Sequence, residues 1–73
     1  MKFRFTRHAL ERLRQRGIKV RDVKNVLLSP ASRIKVLDYG AIEAKKKVRG
    51  KNLVVIFETK RTLRKIITVY FED

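Results

Sequence analysis

The spacing of apolar and polar positions divides the chain in two. KFRF (Lys2–Phe5) alternates, which is the period of a half-buried strand with Phe3 and Phe5 turned inward. Thr6 follows as a natural N-cap, with a hydroxyl that can accept from the amides of the next turn. A helix is predicted from there to Arg16, closing on Gly17, which takes the left-handed conformation most readily. Its apolar stripe of Ala9, Leu10 and Leu13 is narrow. VRDVKNVLL (Val20–Leu28) then sets Val20, Val23, Val26 and Leu27 at helical spacing. Ser29–Pro30 ends this second helix, because the residue before proline is pushed out of helical geometry.

From Ser32 the period becomes two. SRIKVL (32–37) reads as a strand, DYG (Asp38–Gly40) as a turn, and AIEAKKKVR (41–49) as a second strand. Gly50, Lys51 and Asn52 turn the chain into LVVIFE (53–58), apolar on both faces as a central strand is. Residues 59–62 form a charged turn, and LRKIITVYF (63–71) is the last strand. The predicted order is β-α-α-β-β-β-β. That is an α+β domain, with a helical hairpin packed on one face of a twisted antiparallel sheet.

At 73 residues this is one small domain. The absence of cysteine excludes disulfides, thiol catalysis and cysteine-ligated metals, and one histidine cannot build a multi-imidazole zinc site. Neither a metal nor another cofactor is expected. The opening MKFRFTRHAL lacks the apolar core of a secretory signal and no run reaches membrane-spanning length, so the expected location is the cytoplasm. Charge adds most to the picture. Residues 1–30 carry nine Lys/Arg against two acids and residues 31–73 eleven against five, an excess of +7 and +6 that makes up the net +13. Basic residues are therefore spread through the domain, and a polyanion would relieve their mutual repulsion. Nucleic acid is the first candidate partner, an acidic protein segment the second, and an anionic membrane the third, since no long apolar-faced helix accompanies the charge.

Two surfaces carry candidate chemistry. On the last strand, strict alternation puts Ile67, Val69 and Phe71 on one face and Arg64, Ile66, Thr68 and Tyr70 on the other. With the helices over the first set, Arg64, Thr68 and Tyr70 face outward. Lys45, Lys47 and Arg49 alternate with Ala44, Lys46 and Val48 on the neighbouring hairpin. Such a face suits a phosphate backbone, with a tyrosine to stack or donate. The triple lysine also fits an edge device against strand pairing between molecules, and Tyr70 also fits a half-buried aromatic near a chain end. On the first helix His8 and Arg12 lie one turn apart and off the apolar stripe, so imidazole and guanidinium can converge on one anion. An ordinary solvent-exposed histidine on a charged helix face is the other reading.

HALERLRQRGI (8–18), DVKNVLLSP (22–30), the basic hairpin and IITVYF (66–71) together resemble a small prokaryotic family. Its pattern is H-A-x-x-R-x-x-x-R-G-[IV], then a "DV..vL..P" helix and a closing "vTvy" strand. That family is placed near the RelE/ParE and BrnT-like toxins, so the resemblance implies a RelE-like fold and a metal-independent RNA endonuclease. In that chemistry the ribose 2′-hydroxyl attacks the adjacent phosphate. The resemblance implies that His8 and Tyr70 handle protons while Arg12 and Arg64 stabilise the phosphorane. Lys45, Lys46, Lys47, Arg49, Thr68 and Arg16 would hold RNA, Arg16 alternatively bridging to the sheet. RNA, including ribosome-associated RNA, and an acidic antitoxin are the implied partners. The chain departs from the pattern at Lys19–Val20, where a serine or threonine cap is usual, so a poorly capped second helix is expected.

Overall fold

The computed structural model describes residues 2–72. β1 (Lys2–Phe5) leads into α1 (Arg7–Arg16) and α2 (Val20–Leu28). The chain continues through β2 (Arg33–Val36), a 3-10 turn at Asp38–Gly40, β3 (Ile42–Val48), β4 (Lys51–Lys60) and β5 (Leu63–Glu72). The five strands form one sheet in the order β1-β5-β4-β3-β2. β2, β3, β4 and β5 pair antiparallel in sequence, but β1 lies parallel to β5, with Phe3 opposite Arg64 and Phe5 opposite Ile66. The sheet is therefore mixed, not antiparallel throughout. Period-two alternation marks a strand but carries neither its direction nor its neighbour. No hairpin joins β1 to its partner, and the helices carry the chain across one face before β2 begins at the opposite edge.

Local signals explain the helix ends. The Thr6 hydroxyl accepts from the Ala9 amide at 3.1 Å, and Gly17 closes α1 at φ 63°, where the Ile18 amide reaches the Leu13 carbonyl. The start of α2 is better held than Lys19 suggests. The Asp22 carboxylate, at the third helical position, accepts from the Lys19 amide at 3.1 Å and satisfies a donor that no capping side chain serves.

Both helices cover the same face of the sheet, α1 over β5 and β1, α2 over β3 and β4. Ala9 and Leu13 from α1 and Val23, Val26 and Leu27 from α2 meet Ala44, Leu53, Val55, Phe57, Ile66 and Val69 in one core. Leu10 and Val20, expected in the apolar stripes, remain 47% and 41% exposed. Each helix seats a narrow ridge, and a residue next to the ridge is turned about 100° away from it.

The feature that fixes the rest is a bulge in β5. Ile56 pairs with Thr68 and Phe57 with Ile66, so Ile67 is skipped. Ile66 and Val69 are both fully buried under the helices, although three positions apart. Strict alternation forbids that; one extra residue permits it. The bulge carbonyls find partners at the start of α1: the Thr6 amide donates to the Ile66 carbonyl and the Thr6 hydroxyl to the Ile67 carbonyl, both at 3.1 Å. The expected faces are corrected accordingly. Ile66, not Ile67, is the core residue, and Arg64 lies on the helix side while Thr68 and Tyr70 lie on the other.

Thr6→Ala removes both the cap and the bulge contact, and should cost about 1–2 kcal/mol in urea unfolding. Thr6→Ser, which keeps the hydroxyl, should retain most of that stability.

Candidate nucleic-acid interface

The sheet face away from the helices is built in rows by the strand register. Arg33, Lys45, Val54 and Tyr70 form one row across β2, β3, β4 and β5. Lys47, Asn52 and Glu72 form the next row on one side, and Lys35, Glu43, Ile56 and Thr68 the row on the other. Side chains directly opposite on neighbouring strands stand about 5 Å apart, so each row is a line of touching groups. Val54 is fully buried even on this side of the sheet. The cations of the row therefore border an apolar floor, with half-buried Tyr70 at its other end.

β2 pairs with β3 only as far as Lys45, and beyond that point the edge of β3 is uncovered. A groove of about 610 Å³ opens there, lined by Arg33, Lys45, Lys46, Lys47, Asn52 and Glu72. Four of these six side chains are cationic and one is acidic. The Glu72 carboxylate sits 2.8 Å from the Lys45 ammonium. That hydrogen bond raises the Lys45 pKa above the ordinary lysine value, against the opposing effect of desolvation. Lys46 alternates to the helix side and donates to Asn25 on α2 at 2.9 Å, so it closes the groove from that side.

The remaining expected residues are dispersed. His8 and Arg12 do meet on the exposed face of α1, where the Arg12 Nε donates to the His8 Nε2 at 3.4 Å and its other arm reaches Gln15 at 2.7 Å. Tyr70 is on the opposite side of the sheet from them. Arg64 lies in a third place, beneath α2. Its guanidinium donates to the Leu27 carbonyl at 2.7 Å and stacks over the Phe57 ring at 5.4 Å, and its Nε is buried without a hydrogen-bond partner. A cation at the last turn of a helix complements the exposed carbonyls there, which is a structural role. The four residues expected to share a catalytic site thus occupy three separate surfaces. A second cleft, of about 310 Å³, is lined by Glu11, Arg14 and Gln15 and contains none of the four.

Arg16 and Arg49 are also engaged internally. Arg16 donates to the Val69 carbonyl at 3.2 Å and bridges to the sheet. Arg49 is not a strand residue: with Gly50 it forms the β3–β4 turn, both at positive φ (51° and 82°), the pattern of a type I′ hairpin turn. From there its guanidinium grips Asp22 with two hydrogen bonds, at 3.1 and 2.9 Å.

A family model described as a domain of unknown function, DUF4258, matches residues 5–71. The chain belongs to that family. No curated protein and no solved structure matches it. The match runs from the last residue of β1 to Phe71 in β5, so the DUF4258 region takes in the groove and the outer rows except Glu72.

Arg33, Asn52 and Glu72 line the groove but are not among the residues expected from sequence. Alternation in SRIKVL does separate Arg33 and Lys35 from Ile34 and Val36. What alternation lacks is the strand order that sets Arg33 beside Lys45.

Asp22 is nine-tenths buried, and burial alone would raise its pKa. The Arg49 guanidinium and the Lys19 amide outweigh that and hold it below the ordinary carboxylate value. A carboxylate whose pKa is lowered by folding stabilises the fold fully above its unfolded pKa, about 4, and loses that contribution as pH falls through the lower folded value. Thermal stability should therefore fall below about pH 4, and Asp22→Asn should flatten that acid limb while costing about 1–3 kcal/mol at pH 7.

Proposed function

We propose that this protein binds single-stranded RNA through the outer face of its sheet, with phosphates in the Arg33–Lys45–Lys47 groove and a base against Tyr70. The observation that carries the reading is the row Arg33–Lys45–Val54–Tyr70, which joins two cations to an aromatic across an apolar floor. Phosphate contacts supply most of the affinity in such a site, while a base stacked on an aromatic side chain contributes about 1–3 kcal/mol with little sequence preference. A net charge of +13 adds long-range attraction to the same ligand.

The toxin-type endonuclease reading remains a proposal that rests on the resemblance to RelE-like and BrnT-like proteins. The His8–Arg12 contact favours it, as an imidazole beside a guanidinium suits proton transfer near a phosphate. The separation of Tyr70 and Arg64 from that pair weighs against it. Binding without cleavage is therefore the better-supported reading.

Fluorescence anisotropy with a labelled single-stranded oligoribonucleotide tests this directly. Affinity should fall linearly with salt on a log–log plot, and replacing Arg33, Lys45 and Lys47 by alanine together should reduce the slope by about 2. Tyr70→Leu should weaken binding about tenfold. Unchanged affinity in both variants would sink the proposal. Cutting of the RNA that disappears in His8→Ala would establish the endonuclease reading in its place.

A further inference from the structure

β2 ends the sheet, and its outer edge has no strand beside it among the described residues. All four of its residues are exposed, and Ile34 and Val36 are 61% and 76% so. These two stand opposite Ala44 and Ile42, on the face that the helices cover elsewhere. The apolar layer of the domain therefore continues past α2 onto a strip that nothing covers. Arg33 and Lys35 point to the other side.

The hydrogen-bonding pattern makes this edge a template. The Leu37 amide donates to the Ala41 carbonyl at 2.8 Å, so Leu37 and Ala41 form a bonded pair. Bonded and non-bonded pairs alternate along an antiparallel ladder. Lys35 and Arg33 accordingly spend their amides and carbonyls on β3, whereas those of Ile34 and Val36 point outward, free to pair. The two residues that offer backbone groups are the two that offer uncovered apolar side chains.

We infer that β2 is the docking edge for an extended segment of a partner protein in which apolar and acidic residues alternate. Apolar side chains of that strand cover Ile34 and Val36 on the helix side, and an acidic side chain on the opposite side meets Lys35. A second copy of this chain is the wrong occupant. Two β2 strands paired antiparallel, Ile34 opposite Val36, put Lys35 directly opposite its own counterpart, and like charges facing across a ladder destabilise it. Two bodies of net charge +13 repel at long range as well. Lysine on an exposed edge is a recognised block to self-pairing. Here the same lysine selects a partner of opposite charge. The inference does not rest on RNA binding.

The probe is a blocked peptide, Gly-Ser-Val-Glu-Val-Glu-Val-Ser-Gly, titrated into the isotope-labelled protein and followed by NMR. The amide signals of Ile34 and Val36 should move most, and their exchange with solvent should slow. The same peptide with lysine in place of glutamate should bind about tenfold more weakly, and Lys35→Glu should invert that preference. Ile34→Lys with Val36→Lys should abolish binding. Both positions are exposed, and an otherwise unchanged spectrum verifies that the fold is intact. Peptide-induced shifts confined to Lys45, Lys46 and Lys47, or a preference that Lys35→Glu leaves unaltered, overturn the proposal. So does sedimentation of the free protein as a dimer that Ile34→Lys dissociates.

Discussion

The Thr6 hydroxyl is shared by two elements, and the arrangement of the molecule follows from that sharing. It caps α1 and at the same time occupies a carbonyl in the β5 bulge. Arg16, at the other end of the helix, holds a second β5 carbonyl just beyond the bulge. α1 is thus pinned at both ends to one strand, astride the point where that strand changes phase. Unpaired backbone groups in a covered bulge would be costly, and here the helix supplies their donors. The change of phase in turn decides which residues face outward. On one side of Ile67 the chain sends Arg64 into the helical layer, and on the other it sends Tyr70 to the open face.

Three of the ten arginines hold parts of the fold together. Arg49 locks the β3–β4 turn to the start of α2 through Asp22, Arg64 closes the end of the same helix, and Arg16 binds the sheet. Arg49 uses two arms of its guanidinium fork on the two Asp22 oxygens, which a point charge would match less well. Lysines dominate the outer rows and the groove. Arg16, Arg49 and Arg64 thus serve the architecture, while Arg4, Arg7, Arg14, Arg21, Arg33 and Arg61 stay exposed. Total charge alone does not reveal that division.

The helix limits, the burial of β4 on both faces and the alternation of Ala44, Lys45, Lys46, Lys47 and Val48 are all legible in the sequence. They depend on local rules of period and capping. The parallel seating of β1 is not legible, because nothing local to KFRF specifies a neighbour some sixty residues away in the chain. The bulge at Ile67 also escapes a reading by period, since IITVYF fits either phase equally well. Arg64 and Tyr70 were expected on one face for that reason alone. His8 and Arg12 sit together because helical spacing is local, while their relation to the rest of the candidate site depends on the sheet. Position along an element is encoded nearby; the meeting of elements is not.

The adjacency of β1 and β5 also orders events in time. α1 follows the first strand in the chain, yet the surface it packs on is chiefly the last strand. As the polypeptide is made from its N-terminus, Ala9 and Leu13 have no complete floor until residues 63–72 have emerged. β4 and β5, a single antiparallel hairpin, can close by themselves, but the sheet cannot be finished before synthesis of that region is. Contacts that span so much of the chain close large loops, which slows folding. Until then the nascent segment is a strongly basic chain in which Arg16 still lacks the Val69 carbonyl that later holds it.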